Sequence, residues 1–214
     1  RPGERIVEGK LARELGVAQS TLREALQQLE HQGLVTKSER RGTFVTRLTV
    51  QDLEDLYQVR LQLEPLAAEL ACRKMKREHF QQLAEALERM HAAGRERAFV
   101  DLLKADLAFH QLIWKFSGNP FLEKALNVVC PPLFASYMIR LVSGDTYDLA
   151  KDYEEHTSLI EALKQGKPPA VRQAFSAITE VFHLQDVENL RVSQAQHRSG
   201  ARRKRPGMTV RMGP

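Results

Sequence analysis

The chain has 214 residues, of which 43% are hydrophobic and 28% are charged, and its formal net charge is +5. This length suits one medium domain or a small domain followed by a larger one, with ample apolar material for a core. Because no uninterrupted apolar run approaches the length of a membrane span and no charged-then-apolar leader opens the chain, we expect a soluble, cytoplasmic protein without a membrane partner.

Two short helices joined by a turn are the first predicted elements. Leu11, Ala12 and Leu15 fall on one face of the first helix, and Gly16 supplies the turn that such a pair commonly needs. The second helix has apolar residues at positions i, i+3, i+4 and i+7, a spacing that predicts one buried stripe. These residues are Leu22, Ala25, Leu26 and Leu29.

The opposite face of the second helix is polar. Gln19, Arg23 and Gln27 follow one another at four-residue spacing, and Ser20 and Thr21 lie near the helix start. A recognition helix presents such side chains to base edges in the major groove of DNA. We therefore predict DNA contacts at Gln19, Ser20, Thr21 and Arg23.

A short hairpin is predicted after Gly33. Residues 34–36 suit a strand, residues 37–42 a basic turn and residues 43–46 a returning strand. Two arginines beside a glycine at the tip can approach a duplex closely, and they can meet phosphates or enter the minor groove. The predicted DNA-binding residues of this wing are Arg40, Arg41, Gly42 and Thr43.

Each of these features alone is also typical of an ordinary protein surface. Basic turns are common in solvent, and Thr21 with Glu24 fits a capping box that would give Thr21 a purely local role. The ordered combination of helix, turn, helix and basic hairpin favours a winged helix-turn-helix over that interpretation.

Three segments resemble the DNA-binding domain of GntR-family transcriptional regulators: residues 8–17 (EGKLARELGV), 22–26 (LREAL) and 41–45 (RGTFV). The family usually has an arginine where this chain has Gln19. Glutamine pairs with adenine where arginine favours guanine, so the resemblance implies DNA binding with an altered operator preference. The family also has a helix before this point, and because Arg1 is not an initiator methionine we expect that helix to be missing from the sequence.

Residues 49–192 have a helical pattern almost throughout. Amphipathic segments are predicted near residues 49–66, 77–92, 97–117, 120–141, 146–165 and 168–190, with a kink at Pro65. Breaks containing glycine or proline separate them, as in an antiparallel helical bundle. The predicted fold is mainly α, with a winged helix-turn-helix and small β wing at residues 1–48, an all-α antiparallel bundle at 49–192 and a basic disordered tail at 193–214.

Several elements of the bundle resemble the FCD effector domain of the FadR-like subgroup of GntR regulators. They are residues 52–57 (DLEDLY) with Arg60 and Glu64, Phe109-His110, residues 117–120 (SGNP) and Glu155-His156. The resemblance implies a homodimeric repressor that binds double-stranded operator DNA and a small organic-acid effector. Arg60 would meet the effector carboxylate, or it would instead form an i,i+4 surface pair with Glu64.

Asp106 and His110 form a candidate metal site. On a helix, four-residue spacing places two side chains only about 40° apart, so both can converge on one ion. His156, from another predicted helix, could supply a third ligand. Carboxylate and imidazole together suit Zn, Ni or Mn, although the spacing alone is more typical of a hydrogen-bonded pair.

The FCD resemblance implies metal binding through an aspartate, a histidine four residues later and two further histidines. Three positions match, but the fourth is Ile178. His183 cannot replace it, because five residues along a helix rotate a side chain by about 140° from that direction. Two outcomes stay open: a weakly held divalent metal with an open position, or a pocket without metal that binds the effector directly. The effector-binding residues would be Arg60, Asp106, His110 and His156.

A metalloenzyme is the alternative function for the same metal-ligand set, with Glu154 or Glu155 as general base. No metalloprotease helix motif, nucleophile elbow or phosphate-binding loop accompanies these residues. We therefore expect a regulator and not an enzyme.

The positive charge is concentrated at the two ends of the chain. Six Lys and Arg residues lie within residues 198–211, so residues 1–197 carry a net charge of −1, whereas residues 1–48 carry +3. We expect the tail to be a solubilising end, with added phosphate attraction as the alternative. Cys72 and Cys130 lack paired spacing, which favours free buried thiols over a disulfide or a metal site.

Overall fold

A computed structural model describes residues 2–31, 33–39, 41–142 and 148–203, with side chains described as far as residue 192. In chain order the elements of these residues are β1 (Arg5–Ile6), α1 (Glu8–Leu15), α2 (Gln19–His31), β2 (Val35–Ser38), β3 (Gly42–Val45), α3 (Val50–Cys72), α4 (Arg77–Arg95), α5 (Phe99–Phe116), α6 (Pro120–Val129), α7 (Pro131–Val142), α8 (Leu149–Lys164) and α9 (Pro168–Arg203). The first five form a small head, and helices α3–α9 form a bundle.

The head folds around four buried residues from its helices and its wing. Ala12 comes from α1, Leu22 and Leu26 from α2 and Val35 from β2, and each is at most 5% exposed. Gly16 ends α1 with φ 66°, a left-handed conformation in which glycine carries no steric penalty. The predicted helix-turn-helix is confirmed.

Two residues of the predicted apolar stripes are exposed in the head. Leu15, the last residue of α1, is 60% exposed, and Ala25 of α2 is also exposed. A domain as small as this head buries a smaller fraction of its surface than a large one, and these two positions lie at the margin of its narrow core.

The wing is a three-stranded antiparallel sheet in the order β1-β3-β2. Strands β2 and β3 pair from Val35 with Val45 to Ser38 with Gly42, which confirms the predicted hairpin. Strand β1, which pairs with β3, was not expected. Two residues are too few to show the alternating pattern by which a strand is predicted.

The bundle packs α3 along α9 and α4 along α5. Thr49 caps α3 by accepting from the backbone N–H of Asp52, whose carboxylate accepts in return from the Thr49 backbone. The predicted segment 120–141 is two helices, because Pro131 begins α7 directly after α6. Pro65 lies inside α3 and is buried.

Pro120–Val142 is long and apolar enough to cross a membrane by length and composition alone, with a mean hydropathy of 1.4. Glu123, Lys124 and Arg140 interrupt this stretch, so it is not an uninterrupted apolar run of that length. The stretch is divided between α6 and α7, 44% of its apolar window is buried, and its residues Leu126, Leu133 and Leu141 are nearly inaccessible. Core segments of globular proteins satisfy the same two criteria, and this stretch supplies part of the core of the bundle.

Helix α9 continues to Arg203, beyond the boundary expected at residue 192. The helical backbone of residues 193–203 differs from the disorder predicted there. A helix that is already formed adds residues without a new nucleation step, and this segment contains Gln, Ala and Arg, which favour helices. The rest of the predicted tail, residues 204–214, lies outside the described residues.

Candidate ligand site and DNA-binding surface

The structure brings Asp106, His110 and His156 together inside the bundle. Helix α5 carries Asp106 and His110 one turn apart, and α8 carries His156. One ligand atom from each residue lies within 4.8 Å of the other two. Asp106 Oδ1 is 3.5 Å from His110 Nε2 and 3.2 Å from His156 Nε2. Both Nε2 atoms therefore lie next to the same carboxylate oxygen.

Each histidine is held on its other side through Nδ1. His110 Nδ1 lies 2.6 Å from Glu64 Oε1, and His156 Nδ1 lies 2.8 Å from the carbonyl oxygen of Asp152. The two residues are 7% and 3% exposed. Metal-binding histidines in proteins commonly have such a partner on the nitrogen that does not face the ion.

Glu64 is central to this site, although the sequence indicates it only as a surface partner of Arg60. It is fully buried; Oε2 accepts from Arg60 Nε at 2.7 Å and Oε1 accepts from Trp114 Nε1 at 3.2 Å. Burial alone would raise the pKa of the Glu64 carboxyl group, but the Arg60 guanidinium and the His110 ring lower that pKa well below its usual range. An ionised carboxylate therefore lies behind His110.

The surroundings of His156 favour its protonated form. Burial alone would lower the pKa of the ring, but the hydrogen bond with Asp106 and the negative charge of Asp152 raise that pKa to about 9. Only a deprotonated Nε2 can coordinate a metal, so an ion bound here would replace the proton.

The donor set fits a divalent metal. Two buried imidazole nitrogens and a carboxylate oxygen are ligands that Zn, Ni and Mn accept. Ile178, at the fourth position of the family pattern, is partly buried and packs against the main apolar core. Three protein ligands with one open position are typical of metal centres that also bind water or a small molecule.

A cavity opens beside these residues, with an empty volume of about 360 Å³ that includes the part open to solvent. Arg60 lines it, and its guanidinium carbon lies 5.0 Å from the ring centre of Phe134. Arg60 and Glu64 do form the i,i+4 ion pair considered from the sequence, but the pair is buried and does not lie at the surface. The aromatic lining residues are Tyr57, Phe134, Tyr137 and Phe182.

A second buried carboxylate, Asp186 of α9, also lines the cavity. It is 3% exposed, accepts from the Tyr57 hydroxyl at 2.5 Å and forms an ion pair with Arg140. Burial and the charge of Asp186 raise the pKa of Tyr57 well above its usual value. No sequence signal indicated Asp186, because its two partners lie on α3 and α7, far away along the chain.

The residues considered as a replacement for the fourth metal ligand or as a general base do not line the cavity. His183 stacks on Tyr57 with ring centres 4.8 Å apart. Glu154 is exposed, and Glu155 pairs with Lys151 at 3.7 Å. None of these three is among the described residues that line the cavity beside Asp106.

The polar face of α2 is exposed, as a DNA-contacting surface requires. Gln19, Ser20, Thr21 and Arg23 are all solvent-exposed, and α2 begins at Gln19. Thr21 therefore lies inside the helix and not at the N-cap that the alternative capping box needs. Arg23 Nε donates to Glu8 Oε2 at 2.9 Å, which ties the guanidinium to α1.

The wing places its predicted DNA-binding residues in different environments. Arg41 is exposed, and Gly42 has φ 106°, in the region that favours glycine. Thr43 is only 3% exposed, and its hydroxyl donates to Glu8 Oε1 at 3.4 Å. This burial contradicts a direct DNA contact by its side chain. Arg40 lies outside the described residues.

Strand β1 adds an arginine to the wing that the sequence did not indicate. A Cβ atom at Gly42 would lie 3.2 Å from Arg5 Nε, so the guanidinium of Arg5 packs against the start of β3. Arg5 is exposed, as is Arg41, the residue before Gly42 in the chain. The pairing of β1 with β3 brings these distant positions together.

Known protein families match both parts of the chain. Residues 1–45 match the gntR family of bacterial regulatory proteins, and residues 55–181 match the FCD domain. The uncharacterized HTH-type transcriptional regulator YdhC of Bacillus subtilis is 33% identical over 176 residues, which cover 81% of this chain and 77% of the relative. The Nta operon transcriptional regulator of Aminobacter aminovorans is 31% identical, over 85% of this chain and 88% of the relative.

A solved structure shares the fold. The chain aligns with E. coli McbR/YncC at a TM-score of 0.73 and 21% identity, covering 91% of this chain and 90% of that one. At this identity the likeness concerns the arrangement of the elements alone, and it agrees with a winged head followed by a helical bundle.

Proposed function

The chain belongs to the GntR family of transcriptional regulators, in the subgroup that carries an FCD domain, and from that premise we propose that it is a repressor controlled by a small carboxylate and a divalent metal. The observation that carries the proposal is the meeting of Asp106, His110 and His156 beside Arg60 at one cavity. The bundle would bind the effector, and the head would bind operator DNA.

Arg60 is the residue we assign to the effector carboxylate. Its Nε donates to Glu64, so the two terminal nitrogens remain as a fork of donors for a ligand. The stacking of the guanidinium near Phe134 holds that fork in a defined orientation at the cavity wall. A ligand carboxylate at the open metal position would lie between the ion and this arginine.

Asp106, His110 and His156 would hold Zn, Ni or Mn. When bound, the ion supplies positive charge for an anionic ligand, in a pocket where buried Glu64 and Asp186 already compensate Arg60 and Arg140. This internal pairing of both arginines is the reason we favour a metal over a pocket that binds an anion without one.

The head would contact DNA through the start of α2 and the wing. Gln19 and Arg23 would meet base edges, while Arg40 and Arg41 would meet phosphates. A two-fold homodimer would place two α2 helices on the half-sites of a near-palindrome in the cytoplasm, where the DNA lies. The bundle offers exposed apolar side chains for pairing, among them Phe121 of α6, which is 84% exposed.

The proposal is tested by thermal unfolding of chelator-treated protein against a set of organic acids, each with and without Zn²⁺, Ni²⁺ or Mn²⁺. A ligand that binds only the folded state raises the melting temperature. We expect at least one carboxylate to do so more strongly with metal than without, and to release an operator duplex in fluorescence anisotropy. Size-exclusion chromatography with light scattering tests the dimer.

Variants separate the two parts of the site. Asp106→Ala should remove the metal effect and Arg60→Gln the carboxylate effect, whereas Arg73→Gln, directly after the helix that carries Arg60 and paired with Glu69 at the surface, should change neither. A wild-type metal content near zero that Asp106→Ala leaves unchanged would reject the metal. A strict monomer with tight operator binding would reject the dimer.

A further inference from the structure

The carboxylate of Glu64 contacts both parts of the ligand site, the arginine assigned to the effector and a histidine assigned to the metal. Its Oε2 accepts from Arg60, and its Oε1 lies 2.6 Å from His110 Nδ1. The side chain is fully buried, and Trp114 Nε1 donates to Oε1 at 3.2 Å. Three groups from two helices thus fix both oxygens of Glu64, so the carboxylate has a single orientation.

This orientation determines which nitrogen of His110 faces Asp106. A carboxylate beside Nδ1 accepts a hydrogen bond from the N–H of that nitrogen, so the proton of the neutral ring stays on Nδ1 and the lone pair lies on Nε2. His110 Nε2 is the atom that lies 3.5 Å from Asp106 Oδ1. The opposite tautomer would place two acceptors, Nδ1 and Oε1, 2.6 Å apart, and it would turn an N–H toward the ion.

We propose that Glu64 is the positioning residue of the metal site: its carboxylate holds the His110 ring in the tautomer and orientation that present Nε2 beside Asp106 and His156. This inference rests on the proposed metal-dependent function of the same cavity. It also joins the metal to the effector, because the carboxylate that orients His110 is the one that anchors Arg60.

A simpler role, that of counter-ion to buried Arg60, accounts for only part of the geometry. An i,i+4 ion pair requires one oxygen, and Oε2 provides it. Oε1 is turned to His110, and Trp114 reinforces that position from α5, the helix that also carries His110 and Asp106. The two roles predict different results for the tautomer of His110, which a counter-ion to Arg60 would not control.

The first test uses the metal-free wild-type protein. Long-range ¹H–¹⁵N correlation spectra of the histidine rings distinguish the two neutral tautomers, and comparison with His110→Gln assigns the signal. We expect His110 to be protonated at Nδ1 at a pH where the ring is neutral. A ring protonated at Nε2 overturns the proposal without any change to Glu64.

The second test measures metal affinity in Glu64→Gln. Competition with a chromophoric chelator for Zn²⁺ and loss of the free Mn²⁺ electron paramagnetic resonance signal report binding directly. Loss of an orienting partner commonly weakens metal binding by about 10- to 100-fold, and we expect this range together with a mixture of His110 tautomers. The matched control is Glu69→Gln, which removes a carboxylate from the same helix that pairs with Arg73 and Arg172.

Removing one partner of a buried ion pair can destabilise the fold. The double variant Arg60→Gln/Glu64→Gln removes both charges, and it should show the same loss of metal affinity and the same tautomer mixture. Metal binding that is equal in wild type and both variants overturns the role of Glu64 while the proposed function stands. Failure of the wild type to bind Zn²⁺ or Mn²⁺ contradicts the proposed metal site itself.

Discussion

His156 makes the stability of the metal-free protein depend on pH. Its folded pKa of about 9 exceeds the ordinary value of 6.5, so the folded state binds this proton more tightly than the unfolded state. The resulting stabilisation is complete below pH 6.5 and is lost as the pH rises through 9. From the size of the shift we expect the free energy of unfolding to fall by roughly 3 kcal/mol across that interval, measured by urea denaturation.

Two variants check the assignment to this residue. His156→Gln should flatten the dependence between pH 6.5 and 9, because the group that loses its proton is gone. His91→Gln should preserve it, since His91 packs on Tyr153 at 4.6 Å between ring centres and is not among the described residues that line the cavity with Asp106. A slope that persists in His156→Gln would assign the titration to another group.

Glu8 controls the freedom of the arginine we assign to base contact. It accepts from Arg23 at 2.9 Å and from the Thr43 hydroxyl at 3.4 Å, which links α2 to the wing through α1. We expect Glu8→Gln to change stability little, because the pair is exposed, but to lower the ratio of operator to non-operator affinity. Glu14→Gln, which removes a charge from the same helix beside Lys10, is the control. Equal ratios in the two variants, measured by fluorescence anisotropy at one salt concentration, would contradict this role.

At the residue scale, local spacing identified two members of the site, and the family resemblance matched three. The four-residue spacing of Asp106 and His110 is a property of one helix, so it was visible in the sequence, whereas no spacing connects His156, on another helix, to these two. The interaction of Glu64 with His110 crosses 46 residues and that of Tyr57 with Asp186 crosses 129. No local pattern encodes such contacts, because they depend on how the helices pack.

At the element scale, α9 replaces a family metal ligand with an apolar residue. Ile178 packs against the main core, while Phe182 and Asp186, one and two turns later, line the cavity. We expect Ile178→His to supply a fourth ligand and to raise Zn²⁺ affinity by about an order of magnitude or more in chelator competition. Ile178→Leu keeps the volume and should leave the affinity unchanged. No gain in Ile178→His would show that position 178 is turned away from the ion.

Strong periodicity predicted most helices, and the exceptions have identifiable causes. The break between α6 and α7 falls at Cys130, where both flanking segments are apolar, so the amphipathic pattern runs through it and only Pro131 marks the boundary. Strand β1 exists because β3 offers an edge to pair with, and its two residues carry no pattern of their own. The length of a helix and the pairing partner of a strand are set by the assembled fold, whereas periodicity is a property of the local sequence.

At the scale of the whole molecule, the head meets the bundle where the turn after α2 reaches the start of α7. Gly33 has φ 71°, and a Cβ atom there would lie 3.0 Å from Pro132 Cγ. The next residues of α7, Leu133 and Phe134, line the cavity. Helix α7 therefore contacts both the candidate effector site and the head. A shift of α7 on ligand binding would move the turn after α2 directly.

Gly33→Ala tests whether this contact links the two parts. The substitution adds a left-handed backbone penalty of about 1–2 kcal/mol and also presses a methyl group against Pro132. Gly16→Ala is the matched control, because Gly16 has a similar φ of 66° but no described atom within 4 Å of the added Cβ. We expect Gly33→Ala to lower the melting temperature more than Gly16→Ala, and to change the factor by which the ligand lowers the affinity for operator DNA.

Pro132→Ala in the Gly33→Ala background should recover part of both effects, since it removes the ring atom that the new methyl group meets. Equal behaviour of the two glycine variants would mean that the head responds to the bundle through the chain connection at residues 46–49 and not through α7.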